Sequence, residues 1–495
     1  MRGLLAVVLM IGFYLLALGI ALGLLYIPYA EVVYAHRIHA KLALGCLIGA
    51  LAILWSVLPR FDRFQAPGPE LTRAKQPRLF DEIESVAKSV AQANPTEVYL
   101  VPDVNAWVTQ RGGVMGFGSR RVMGLGLALM RVLTRSQLRA VLAHEFGHYY
   151  GGDTKLGPWV YKTRGAIGRT LSSLAGEKGE GSILQLPFLW YGKMFLRITH
   201  AVSRRQELLA DELAARAVGS KPLIDGLRTV HGVGPAFQAY WANECSPVLR
   251  AGFLPPLTEG FDQFVRSSTI SAIVTSALDA ELKEGKTDPY DTHPPLKERI
   301  AAVANLPAGD RAAGDPPASS LLDDLPALEN QLLATLAGAE AATKLQRIGW
   351  SDVGARVYVP QWASLVKGNT AVLSGLTPES LPKWAGDMKA LGNRCVHIGG
   401  QQVEDEDAEG MAGAVVGAAL AMLLVSKGGK ADTEPGKPIW VIWHGKELEP
   451  FDVMQGLATG KISAADWQRQ CAELGIVGAD LGTVPTAARE PGAAG

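Results

Sequence analysis

The chain opens on two stretches in which apolar residues run on without a formal charge. Leu4 to Ile27 is the first, and Leu42 to Leu58, bounded by Lys41 and Arg60, is the second. At about 1.5 Å per helical residue the first is long enough to cross a hydrocarbon layer about 30 Å thick, and the second sits at the short end of the spanning range. The first run is longer than the roughly 7–15 residues of a leader's apolar core and has a second run behind it. The pair therefore predicts a transmembrane hairpin, with spans at 4–27 and 42–58. Tyr26, Tyr29 and Tyr34 fall at interfacial depth between them. Arg60, Arg63, Arg73, Lys75 and Arg78 follow the second run, whereas the connecting stretch Pro28 to Lys41 carries only Arg37 and Lys41. That bias predicts both termini in the cytoplasm.

Beyond the hairpin the apolar period shortens and alternates. Phe80, Ile83, Val86 and Val90 recur at helical spacing and predict a helix over Phe80 to Ala93. Glu97 to Val101, Asn105 to Thr109, Val114 to Phe117 and Arg120 to Leu125 are short, β-rich and punctuated by Gly, Pro or Asp, which predicts a small antiparallel sheet. Thr134 to Tyr150 reads as a helix, begun by a Thr134/Gln137 capping box and stopped by Gly151-Gly152. Thr163 to Gly181 reads as a glycine- and serine-bearing loop. Ile183 to Thr199, interrupted by Pro187, Lys193 and Arg197, reads as an amphipathic helix lying on the membrane or on the domain that follows the hairpin. Ser203 to Val218 reads as a further helix with its own Ser203/Gln206 capping box, closed by Gly219.

The expected organisation is α+β: a hairpin over 1–60, a mainly helical domain over 61–304 with the small sheet, a linker over 305–320, an accessory α+β domain over 321–483 and a flexible tail over 484–495. Met411 to Val425 is apolar but short and dominated by Ala and Gly, so it reads as a buried core helix rather than a third span.

Composition narrows the chemistry. In 495 residues, 48% are hydrophobic and 19% charged, enough apolar material for packed cores. Lys+Arg 48 balances Asp+Glu 48, so no basic excess marks a nucleic-acid partner. Cys46, Cys245, Cys395 and Cys471 stand far apart with no CxxC, which excludes a disulfide scaffold or a cysteine zinc ribbon. A metal in this chain must be held by His and carboxylate.

His144-Glu145-Phe146-Gly147-His148 supplies that pattern. Residues i and i+4 share a helix face, so both imidazoles can aim at one point, while Glu145 lies about 100° round the axis and is placed to serve as a base. A catalytic zinc needs a third protein ligand. Gly151 suits the longer HExxHxxGxxH pattern, but Thr154 stands where its last His belongs. Glu207 is the best candidate instead, with Asp211 one turn further on the same face to accept the far N–H of a ligand histidine. His200, His231, His397 and His444 lack ligand spacing and read as structural or exposed. The acidic run Glu404 to Glu409 reads as a solvated loop.

The HExxH segment followed by Ser203-Arg204-Arg205-Gln206-Glu207 to Ala210-Asp211 resembles the membrane zinc metallopeptidases that include HtpX-type heat-shock proteases and CAAX prenyl proteases. Asn105-Ala106, and Thr292-His293-Pro294-Pro295 with Arg299-Ile300, are similar to two further motifs of that family. The resemblance runs over Glu97 to Val303 and implies a gluzincin-like domain with one Zn2+ on His144, His148 and Glu207. It implies Glu145 as general base, Asp211 behind a ligand histidine, and Asn105 and Ala106 on an edge strand that pairs with an extended peptide. It also implies His293 near the oxyanion, supported by Arg299. The chain departs from HtpX-type members in lacking clear further spans between HExxH and the Glu helix, and in carrying the unit from Leu321 onward. Trp440 to Trp467 resembles a small GYF-type peptide-binding module.

Together these features predict a membrane-anchored zinc endopeptidase acting on membrane-associated or misfolded proteins. Its partners would be a protein or peptide substrate, membrane lipid, and a protein recruited by the C-terminal domain. The competing class is a membrane-tethered scaffold, which would have no need of Glu145. Processing of a prenylated C-terminus is a third reading, disfavoured because two or three spans are too few to build an enclosed chamber.

Overall fold

The computed structural model describes residues 2–58, 64–111, 119–149, 157–175, 183–285, 293–309, 314–338 and 342–483. The strand expected at Val114 to Phe117, the Gly151-Gly152 stop, Thr292 and the tail after residue 483 lie outside them. Packing divides the chain into two compact units. One comprises Met1–Pro235 with Val274–Leu328, and the other Ala236–Ile273 with Glu329–Gly495.

The first unit begins with α1 (Arg2–Ala35) and α2 (Ala40–Val57) packed side by side. The helix runs through Pro28, so the connection is shorter than the sequence suggests and spans only the few residues between Ala35 and Ala40. Val7–Ala35 and Ala40–Val57 are both long and apolar enough to cross a bilayer. Leu15, Leu22, Ile48, Leu51 and Trp55 stand exposed along them, a belt suited to lipid rather than water.

A short strand β1 (Glu70–Leu71) and helix α3 (Pro77–Ser89) precede β2 (Glu97–Val101), β3 (Ala106–Arg111) and β4 (Arg120–Gly126). They form one sheet in the order β1-β2-β4-β3. The sheet is mixed: β3 pairs antiparallel with β4, but β2 runs parallel to it, from Glu97 opposite Val122 to Val101 opposite Gly126. Among the described residues β3 is an edge.

Helix α4 (Leu127–Val132) leads into α5 (Arg135–Gly147), whose start is held by four separate contacts. Thr134 and Gln137 form the expected capping box, Pro316 O accepts from Arg135 N–H at 2.8 Å, and Asp315 Oδ1 accepts from Ser136 N–H at 3.1 Å. Buried Glu82 on α3 binds both Arg135 and Arg139, which fixes α5 against α3.

Two expectations in the next segment are corrected. Residues assigned to a loop from Thr163 form α6 (Gly157–Ser173). The two separate helices expected at Ile183 to Thr199 and Ser203 to Val218 are one 33-residue helix, α7 (Leu186–Val218). Ser203 does not cap: its hydroxyl donates to Thr199 O one turn back, at 3.1 Å, and leaves the helix continuous. The first half of α7 joins α1, α2 and α6 around Phe13, Ala17, Ile53, Ile167, Phe188 and Phe195. Tyr191 Oη donates to Leu9 O at 2.6 Å, and Ser56 and Thr170 hydroxyls lie 2.7 Å apart. Helix α8 (Ser220–Tyr240) follows Gly219, and the helix Leu296–Val303 returns to pack on α7.

The second unit is built on the helix Ala408–Ser426. Ala412, Val416, Leu420 and Leu424 are buried among Trp362, Leu391, Val441 and Trp467. An all-round apolar helix belongs in such a core. A three-stranded antiparallel sheet of Lys430–Asp432, Trp440–Trp443 and Lys446–Leu448 packs on it. Residues from before the sequence linker are part of this unit: Phe253–Leu254 pairs with Gln346–Arg347, and Trp350 Nε1 donates to Pro256 O at 3.0 Å.

Candidate metal centre

Helix α5 can approach α7 because of one small residue. A Cβ on Gly147 would lie 2.9 Å from Ala210 Cα and 3.0 Å from Ala210 Cβ, so α5 and α7 touch backbone to backbone between the two histidines' turn and the carboxylate pair. With α5 capped at Thr134, the last turn carries His144 and then His148, which retains helical geometry at the C-cap.

His144, His148 and Glu207 bring one ligand atom each within 4.8 Å of one another. His144 Nε2 is 3.5 Å from Glu207 Oε2, and His148 Nε2 is 3.6 Å from Glu207 Oε1. The imidazole rings stand edge to face, 4.8 Å between centroids. Asp211 Oδ1 lies 2.9 Å from His144 Nδ1, which turns Nε2 toward the cluster. Glu207 Oε2 is buried and makes no well-aligned hydrogen bond, although His293 Nδ1 lies 3.2 Å away. A buried carboxylate with one oxygen toward each of two imidazole nitrogens is the donor set a divalent zinc takes.

Asp211 is fully buried and is also gripped by Arg299, through Nε to Oδ2 at 2.8 Å and Nη2 to Oδ1 at 2.7 Å. Nη2 lies 3.7 Å from Glu207 as well. Arg299 is thus placed behind the cluster, on Asp211, whereas the half-exposed His293 approaches the Glu207 carboxylate itself.

The electrostatics suit ligation. Burial, reinforced by the neighbouring His144, pushes His148 down to about 4, so its ring is neutral at pH 7. Burial would raise Glu207, but the imidazoles of His293, His144 and His148 that face its carboxylate outweigh it and hold Glu207 at about 2. Asp211, likewise opposed by burial, is held far below the usual carboxylate range by Arg299 and His144. Glu145 differs. Burial, with the Glu207 charge adding to it, lifts it to about 7 against the pull of His144.

Glu145 also lies beside β3, whose Val108 backbone N–H pulls its carboxyl down against burial, and Tyr149 Oη donates to Val108 O at 2.9 Å. Asn105 O accepts from Gly126 N–H at 2.9 Å, so alternation along the antiparallel pair turns the backbone groups of Ala106, Val108 and Gln110 toward the open edge. The site gathers the expected His144, Glu145, His148, Glu207, Asp211, His293 and Arg299 and sets Asn105 and Ala106 at the start of the adjoining edge strand. Sequence reading missed Val108, Tyr149 and Gly147. Only Gly147, inside the HExxH segment, carried a visible signal.

Residues 73–306 match peptidase family M48. The chain is similar to Protease HtpX of Sodalis glossinidius, at 30% identity over 46% of this chain and 75% of that protein. It is similar to Protease HtpX of Vibrio cholerae serotype O1 at 26% identity, over 45% of this chain and 71% of that one. A Protease HtpX homolog of a Sulfurihydrogenibium species is 24% identical, over 48% and 76% of the two chains.

Proposed function

The chain belongs to peptidase family M48, as an HtpX-type membrane metallopeptidase, and from that premise we propose that it is a zinc-dependent endopeptidase with Glu145 as its general base. The observation that carries this reading is the convergence of His144 and His148 from α5 with the buried, ionised Glu207 from α7. Zinc held by these three would supply Lewis acidity, polarising a scissile carbonyl and making water nucleophilic near neutral pH.

The protein's own groups do the rest. Glu145, poised near 7, takes the proton from the attacking water and returns it to the leaving amine. Asp211 fixes the His144 tautomer, and Arg299 holds Asp211 in place and ionised. His293, beside Glu207, is positioned to hydrogen-bond the oxyanion. An extended substrate adds as a strand to β3. Tyr149 already engages Val108 O, so the peptide pairs with the flanking Ala106 and Gln110, beginning at the Asn105-Ala106 entry.

The hairpin is multi-pass, with lipid around its exposed belt and the protease and C-terminal domains on the cytoplasmic side. There the enzyme meets membrane-associated or misfolded proteins, and the C-terminal unit recruits a protein partner. The test is zinc content and casein hydrolysis of the detergent-solubilised full chain, with and without chelator, in wild type and Glu145→Gln. The reading requires about one zinc per chain in both and hydrolysis only in the metal-loaded wild type. A metal-free preparation that hydrolyses casein, or a fully active Glu145→Gln, would overturn it.

A further inference from the structure

The second unit carries a cavity that peptide hydrolysis does not use. It has a volume of about 380 Å3, and Glu244, Tyr358, Lys437, Glu449 and Phe451 are among its walls, all within this one unit. Two of these residues are delivered by widened helical turns. Glu244 lies in the π-helical turn Trp241–Cys245 and Tyr358 in the π-helical turn Gly354–Tyr358. Such turns are rare and recur where a helix must aim a side chain at a site. Tyr358 stacks on Trp362 at 6.1 Å and 17°, and Trp362 packs on Phe451 at 5.5 Å, so the aromatic side of the cavity is braced.

Its charges are unbalanced. Lys437 is committed to Glu434 at 2.5 Å, and Lys461, the cation near Glu449, bonds Asp452 at 2.7 Å. Among the described residues, neither Glu244 nor Glu449 makes an ion pair, and Glu244 has the Gly436 N–H at 3.4 Å. Burial raises both carboxyls, with Asp452 adding to the effect at Glu449. A third carboxylate does not join them closely enough for a metal: among the described residues only the His144, His148 and Glu207 cluster brings three ligand atoms together. Two half-buried acids beside aromatic rings match a larger, softer charge.

We propose that this cavity binds an organic cation, an ammonium or guanidinium group, with Glu244 and Glu449 as counter-charges and the Tyr358 and Phe451 rings as apolar walls. Such a group reaches the cavity either as a basic side chain of a protein segment or as a soluble amine. The site stands independently of the hydrolytic reading.

Isothermal titration of the detergent-solubilised full chain tests it with three probes: N-acetyl-arginine amide, spermidine and the neutral isostere N-acetyl-citrulline amide. Saturable binding of at least one cationic probe is expected, with none of the citrulline compound. Arginine amide alone assigns the site to a peptide side chain, and spermidine alone to a soluble amine. Glu244→Gln and Glu449→Gln should each weaken binding about tenfold or more, since each removes a charge-assisted contact. Both should leave casein hydrolysis and the zinc content at wild-type levels. Glu449→Gln, at a less buried position, serves if Glu244→Gln unfolds. Failure of both cations to bind, equal binding of the citrulline compound, or unchanged affinity in the folded variants would overturn the proposal.

Discussion

Removing Asp211 separates two roles that the structure assigns to one carboxylate. It accepts from His144 Nδ1 at 2.9 Å and from Arg299 at 2.8 and 2.7 Å, with none of its side chain exposed. Asp211→Ala therefore leaves His144 without its orienting partner and a buried guanidinium without its close counter-ion, with Glu207 alone left at 3.7 Å. Loss of the histidine's partner should weaken zinc about 10–100-fold, or about 1.4–2.7 kcal/mol. Loss of the close counter-ion should cost up to about 3–5 kcal/mol of folding stability, because the buried charge keeps only its 3.7 Å approach to Glu207. The two costs respond differently to a second change. Asp211→Ala with Arg299→Met removes the stranded charge and fills its space with an apolar chain, so most of the stability returns. The zinc affinity does not, because His144 is still unanchored. Thermal unfolding of the metal-free protein reads the first quantity and competition with a fluorescent chelator reads the second. If the double variant were no more stable than the single, Arg299 would not be the partner whose loss is felt. If it regained wild-type zinc affinity, Asp211 would not act through His144.

Other expectations follow from the same geometry. Glu145→Gln should keep its zinc and lower kcat at least about 100-fold, measured by hydrolysis of a quenched peptide with metal content checked in parallel. Because burial raises Glu145 from 4.5 to about 7, its base form is lost as pH falls. The acid limb of kcat/KM should then lie above the ordinary carboxylate range and at or below about 7, and a limb at 4 would contradict the burial argument. Gly147→Ala, meeting Ala210 at 2.9 Å, should cost about 1–3 kcal/mol and weaken zinc by prising α5 from α7. An unfolding midpoint and a zinc titration both equal to wild type would show that the helices have room to spare. Thr134→Ala removes the α5 cap and should cost about 0.5–2 kcal/mol in chemical denaturation, with little effect on the zinc-bound rate.

Much of the site was legible because its chemistry is local. His144 and His148 share a face, as do Glu207 and Asp211, through the helical period alone, and a capping box such as Thr134/Gln137 needs only four residues to declare itself. The apolar runs of the hairpin and the all-round apolar helix near Met411 are likewise readable residue by residue. What escaped sequence reading turns on non-local choices. Ser203 can cap a new helix or bond back to Thr199, and the packing of α7 on the hairpin helices selects the second, carrying the chain unbroken from the apolar bundle to Glu207 and Asp211. Arg299 reaches Asp211 across 88 residues, and no spacing rule ties an arginine to a carboxylate that far away. The parallel pairing of β2 with β4 and the recruitment of Ala236–Ile273 into the second unit are also decided by which surfaces bury each other. Short-range geometry therefore determined which residues could do the chemistry. Burial and long-range pairing decided which groups support them and how their charges are set.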